Sequence, residues 1–217
     1  MLAHLSSPRF YWAVLAMIVT VTASNILVQY PVAFDLGPVH VGDILTWGAF
    51  TYPFAFLVSD LTNRHFGPNV ARIVVVFGFA VAVAISVYLA TPRIAIASGT
   101  AFLVGQFLDI SVFSRLRNNR AWFLPPFVAS FFGSLIDTAI FFSLAMAPAF
   151  AGLDLVFGLE DGSLPFPAAL LGIGPEVPLW IALAAGDFSV KFLAAAFLLA
   201  PYRLLMGPIV PPRAVAA

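Results

Sequence analysis

The chain has 217 residues, 62% of them hydrophobic and only 9% charged, with 23 phenylalanines and a formal net charge of zero. Soluble domains are roughly 45–50% apolar and about 25% charged, so a soluble globular fold is excluded. The charge balance gives nucleic acid no footing. The absence of cysteine removes disulfides, thiolate metal sites and cysteine nucleophiles. The apolar runs are continuous rather than alternating, which in a bilayer means helices and not a barrel. The expectation is an all-α integral membrane protein forming one transmembrane domain over residues 1–217.

A helix crosses the hydrocarbon core in about 20 residues. Six stretches qualify, making a six-transmembrane-helix bundle: Phe10–Tyr30, Asp43–Asp60, Ala71–Ala90, Ile94–Phe113, Phe123–Ala147 and Pro178–Ala200. The first holds Val21-Thr22-Ala23-Ser24, a small-residue cleavage pattern, but its apolar run exceeds the roughly 7–15 residues of a signal peptide core, so it is expected to be retained. The second is short and carries Gly48 and Pro53. Gly67-Pro68 and Thr91-Pro92 bracket the third. Pro125-Pro126 places the true start of the fifth a few residues late. Between the fifth and sixth lies the long extracytoplasmic loop 148–177, rich in glycine and proline and a candidate lid.

Arginines at positions 9, 64, 72, 115, 117, 120, 203 and 213 fall at the termini or in the loops of one side, and only Arg93 on the other. The positive-inside rule then puts both termini in the cytoplasm.

A charge near the middle of a membrane helix costs about 2.5–3.5 kcal/mol, so intramembrane ionisable residues mark candidate sites. Asp187 and Lys191 stand four apart near the midplane of the sixth span, an order that allows pairing within the helix. They form either a self-neutralised pair or part of a site. Asp137, in the fifth span, has no basic residue on its own helix face, which makes Lys191 its most plausible cation. The three charges together are net negative unless one acid holds a proton, which suits a proton-coupled carrier or a static triad. Asp109 and Gln106 share a face of the fourth span, where Arg115 or Arg117 could satisfy the acid locally. Asp60 closes the second span beside Asn63 and Arg64, where capping or an ion pair with Arg64 is expected. Asn25 and Gln29 share a face of the first span, as site residues or as interhelical glue. Trp47, Thr51 and Tyr52 precede Pro53, which frees a carbonyl; broken spans of this kind often mark transporter binding sites. The same aromatics could equally be packing. Small residues at Gly78, Ala82 and Ser86, and at Ala129 and Gly133, read as close helix contacts.

An enzyme would need a constellation that is missing: no phosphate loop, dinucleotide fingerprint or H-E-x-x-H is present. His4, His40 and His65 lie outside the spans, and Gly186-Asp187 lacks the preceding glycine of an intramembrane aspartyl protease, having Ala184 instead. No catalytic residue, cofactor or metal is expected. Energy would come from an ion gradient, from metabolic trapping or from a separate ATPase.

Several segments, in order, resemble one family. They are Ala23-Ser24-Asn25-Ile26-Leu27-Val28-Gln29, Trp47-Gly48-Ala49-Phe50-Thr51-Tyr52-Pro53, Phe56-Leu57-Val58-Ser59-Asp60-Leu61-Thr62, Gly105-Gln106-Phe107-Leu108-Asp109-Ile110, Ser134-Leu135-Ile136-Asp137-Thr138 and Asp187-Phe188-Ser189-Val190-Lys191. Together they resemble the queuosine precursor transporters, also called vitamin uptake transporters. The resemblance implies an importer in the bacterial inner membrane for 7-cyano-7-deazaguanine or its aminomethyl relative, salvaged for tRNA modification. Another small heterocycle or vitamin is the alternative cargo. It also implies distant kinship with substrate-binding subunits of energy-coupling-factor transporters. However, Ala13 and Ala16 do not reproduce the Ala-x-x-x-Ala docking helix, which favours a solitary transporter or homodimer over a separate ATPase module. The implied substrate-binding set is Asn25, Gln29, Trp47, Tyr52, Gln106, Asp109, Asp137, Asp187 and Lys191. A deazaguanine offers adjacent N–H donors that a carboxylate accepts, and Asp137 or Asp109 is the expected reader.

Overall fold

A computed structural model describes residues 6–28, 30–37, 39–41 and 45–209. Its long helices are α1 (Pro8–Leu27), α4 (Pro68–Leu89), α5 (Pro92–Leu116), α6 (Leu124–Met146) and α8 (Leu179–Ile209). By length and composition these five are able to cross a membrane. The second expected span is different: a four-residue turn of helix, α2 (Gly48–Thr51), meets the 14-residue α3 (Pro53–Phe66) at Tyr52. Pro53 lacks the N–H that would continue the ladder across this joint.

Helix starts follow local chemistry. The Ser7 and Thr91 hydroxyls accept from the backbone N–H groups of Phe10 and Ile94, and proline occupies the first turn of α1, α3, α4, α5 and α6. The late start expected for the fifth span is therefore corrected: α6 begins at Leu124, because prolines in a first turn forfeit no hydrogen bond. The fourth span runs on to Leu116 and the sixth through Pro201 to Ile209, longer than the apolar runs suggested. That extension brings Tyr202 within 2.9 Å of Arg64 Nε, which donates to its hydroxyl. Gly67, at φ +91°, makes the reversal between α3 and α4, a conformation cheap only for glycine.

Two close crossings organise the bundle. A Cβ on Gly78 would fall 2.6 Å from Met17 Cγ, which sets α1 against α4. At the α5–α6 crossing a Cβ on Gly105 would lie 2.9 Å from Asp137 Cβ, and one on Gly133 would lie 3.1 Å from Asp109 Cβ. Each helix thus places a glycine opposite the other's aspartate. At the end where α3, α5 and α8 finish, Arg64 Nη1 donates to the Arg117 carbonyl and Arg117 Nη2 returns a bond to the Arg64 carbonyl.

The 148–177 loop is structured. It holds a short 3₁₀ turn (Pro148–Phe150), α7 (Gly152–Val156) and a hairpin of β1 (Pro167–Ala169) with β2 (Glu176–Pro178). Arg93, 1% exposed, clasps its first half. Its Nη1 donates to Asp154 at 2.7 Å and to Ser163 at 3.1 Å, its Nη2 to the Ala147 carbonyl at 2.7 Å, and its Nε to the Leu144 carbonyl at 2.8 Å. The bond from Arg93, helped by the Gly162 N–H, holds the Asp154 carboxyl below its ordinary range. Asp161 is lowered as well, through bonds from Ser163. This half of the loop, the start of the candidate lid, is pinned to α5 and α6. Arg93 is matched by two acids, Asp154 and Asp161.

Candidate functional site

A cavity of about 510 Å³ lies at the end of the bundle opposite the arginine interlock. Its walls come from the last turns of α1 and α4, from α2, from the first three turns of α5, the second half of α6 and the first half of α8. Pockets of roughly 300–1,000 Å³ suit small organic ligands. Tyr52, Phe141 and Phe142 supply aromatic surface, while Ser24, Asn25 and Ser86 supply polar groups. Asn25 Nδ2 donates to the Val21 carbonyl at 2.9 Å, and its Oδ1 accepts from Ser86 at 3.3 Å.

A charged network floors this cavity. Lys191 Nζ donates to Asp187 Oδ2 at 2.5 Å, Asp137 Oδ2 at 2.8 Å and Thr138 Oγ1 at 3.3 Å. Tyr52 donates its hydroxyl to Asp137 Oδ1 at 2.7 Å, and its ring lies 4.7 Å from the ammonium. Thr138 donates to Asp187 Oδ2 at 2.7 Å. The three ammonium hydrogens are thereby matched, and both oxygens of Asp137 are engaged. Among the described residues no contact engages Asp187 Oδ1. That carboxylate borders the cavity with an acceptor to spare. The arrangement can receive a donor edge while the cation stays neutralised, and it contains no nucleophile–base pair.

Of the predicted set, the structure brings Asn25, Tyr52, Asp137, Asp187 and Lys191 to this one cavity. Gln29 lies outside the described residues. Trp47 is 49% exposed and not part of the wall, and Gln106 and Asp109 are fully buried away from it. Asp109 accepts from Ser59 at 3.2 Å and faces Asp60. The expected Asp60–Arg64 pair is corrected in the same way: Arg64 bonds Tyr202 and Arg117, and Asp60 turns inward to Asp109. Thr138 was missed, although it follows Asp137 directly. So was the pattern that aligns the two acids, Gly-x-x-x-Asp at Gly105–Asp109 and again at Gly133–Asp137.

Long apolar helices around a cavity with a buried lysine and aspartates define a multi-pass membrane protein. Residues 46–91 and 86–205 match the profile of the family described as "Putative vitamin uptake transporter", and the chain belongs to that family, one of transporters and not of enzymes. It is similar to the queuosine precursor transporter of Escherichia coli (strain K12), 37% identical over 155 residues, covering 62% of this chain and 67% of that protein. It is also similar to the probable queuosine precursor transporter of Haemophilus influenzae, 38% identical over 160 residues, covering 62% and 68%. No solved structure matches it.

Proposed function

We propose that this protein imports queuosine precursors, 7-cyano-7-deazaguanine or 7-aminomethyl-7-deazaguanine, across a bacterial inner membrane. In this reading α2 and α3 together make a sixth crossing and both termini are cytoplasmic. The distribution of arginines supports that orientation, and the cavity then faces outward. The observation that carries the substrate class is the carboxylate of Asp187, held by Lys191 and Thr138 yet keeping one oxygen for the cavity. The N–H donors on one edge of a deazaguanine would meet that oxygen. Asn25 would read the rest of its polar rim, and Tyr52 or Phe141 would lie against its ring. Asp137 holds Lys191 and Tyr52 in place and does not read the ligand itself. A site built on paired polar groups rejects analogues that leave one unpaired. The relatives' names support the same cargo.

The test is uptake of labelled 7-cyano-7-deazaguanine by cells that cannot make it, with the wild-type protein and Asp187→Asn at matched abundance. The reading predicts accumulation with the wild type and at least a tenfold loss in the variant. Unchanged uptake by the variant would remove Asp187 from recognition. Uptake of a different heterocycle only would keep the transporter and discard the substrate.

A further inference from the structure

Beyond Lys191, toward the arginine interlock, lies a second and far smaller cavity of about 10 Å³, bordered by Asp60, Ser130, Ser134, Lys191 and Tyr202. That is near the threshold for one water molecule. Lys191 is the one described residue bordering both cavities. Asp60 and Asp109 are 2% and 0% exposed, and their carboxyls are within hydrogen-bonding reach of each other. Ser59 donates to Asp109 Oδ2, and Ser130 reaches Asp60. Neither Asp60 Oδ1 nor Asp109 Oδ1 has a donor among the described residues, and both side-chain atoms of fully buried Gln106 are equally unbonded.

The nearest cation offsets this pair only in part. On α3, Arg64 stands one turn from Asp60 and its charge acts on that carboxyl, but Nε is given to Tyr202 and Nη1 to the Arg117 carbonyl, and the buried Nη2 bonds no described residue. From α8, Lys191 faces the small cavity with its hydrogens given to Asp137, Asp187 and Thr138, and Tyr202 accepts from Arg64. α6 adds the neutral Ser130 and Ser134, and α5 the neutral Gln106. Like charges this close in a buried site favour a proton on one of them, and a hydrogen bond between two carboxyls needs a hydrogen.

We propose that Asp60 and Asp109 share one proton, and that this pair is the site where the protein takes up and releases a coupling proton. Lys191 links it to the cargo: a ligand that draws Asp187 from the ammonium changes the positive charge facing Asp60. The coupling role rests on the transport reading above, but the shared proton does not.

Infrared spectra of the full-length protein in lipid at pH 7 test the shared proton without any cargo. A protonated-carboxyl C=O band is expected in the wild type and in Asp137→Asn, moved in frequency in both Asp60→Asn and Asp109→Asn because each leaves one buried acid against an amide, and indifferent to exchanging potassium for sodium. No band, or a band unmoved by both variants, overturns the shared proton; a band erased by sodium reassigns the site to that cation. Ser59→Ala, which keeps both acids, should shift the band and covers the case of a variant that fails to fold. In proteoliposomes, Asp60→Asn should lose at least tenfold of the 7-cyano-7-deazaguanine uptake driven by a proton gradient while retaining exchange of the same compound. Loss of both from a folded variant, or retention of both, overturns the coupling role. If the wild type moves none of that compound, the cargo reading fails while the infrared result still decides the proton.

Discussion

Asp137 and Asp109 occupy equivalent places on opposite sides of one helix crossing, four residues after the glycine that lets α5 and α6 touch. Their surroundings differ in one respect above all. Asp137 meets a lysine, a tyrosine hydroxyl and a large cavity; Asp109 meets a serine and a second aspartate, sealed from that cavity. The same backbone geometry therefore carries one acid paired with a cation and one set against a second acid, and the facing helix decides which. α8 brings Lys191 to the first, and α3 brings Asp60 to the second.

The largest effect should come from breaking the charged side. Lys191→Met leaves Asp137 and Asp187 without a cation, and breaking a buried pair costs about 3–5 kcal/mol. Membrane abundance and the melting temperature in detergent should collapse. Lys191→Met combined with Asp137→Asn and Asp187→Asn should recover abundance but not uptake. A single Lys191→Met protein of wild-type stability would deny that the acids depend on it.

Next comes Arg93→Met, which orphans Asp154 and two carbonyls near the bundle's end, where water can partly replace the lost donor. A loss of about 1–3 kcal/mol is expected, with new protease cleavage confined to residues 148–163. Gly105→Ala and Gly133→Ala test the symmetry itself. Each added methyl meets the facing helix backbone 3.1 Å away, and each should cost about 1–3 kcal/mol. Widely different losses would show that the crossing is not shared equally.

The smallest effect concerns acid. Asp154 is lowered in the folded protein, chiefly by the bond from Arg93. Its stabilisation is therefore present above the ordinary aspartate range near pH ~3.9 and fades as pH falls below it. Protease protection of the 148–163 segment should weaken on acidification below about pH 4 in the wild type, and Asp154→Asn should reduce that dependence to the part that Asp161 contributes.

The helices were legible because bilayer-length apolar runs leave little choice, and Asp187–Lys191 because their pairing lies within one helix. Asp137–Lys191 was reachable by elimination, since no other cation was near. The Arg93–Asp154 clasp joins residues 61 positions apart, and Asp60–Asp109 joins residues 49 apart. Neither pairing leaves a local trace, and adjacent arginines made the local alternatives attractive. Trp47 read as a binding aromatic because it precedes Pro53, but the break falls at Tyr52 and turns Trp47 outward.

The central claim is that a deazaguanine binds on Asp187. Its most direct test is the melting temperature of the detergent-purified protein with 7-cyano-7-deazaguanine, 7-aminomethyl-7-deazaguanine, guanine and a panel of vitamins, since a ligand bound only to the folded state must raise it. The account predicts selective stabilisation by a deazaguanine, abolished in Asp187→Asn and kept in Asp109→Asn. Equal stabilisation of the wild type and Asp187→Asn, or stabilisation by a vitamin alone, would contradict it.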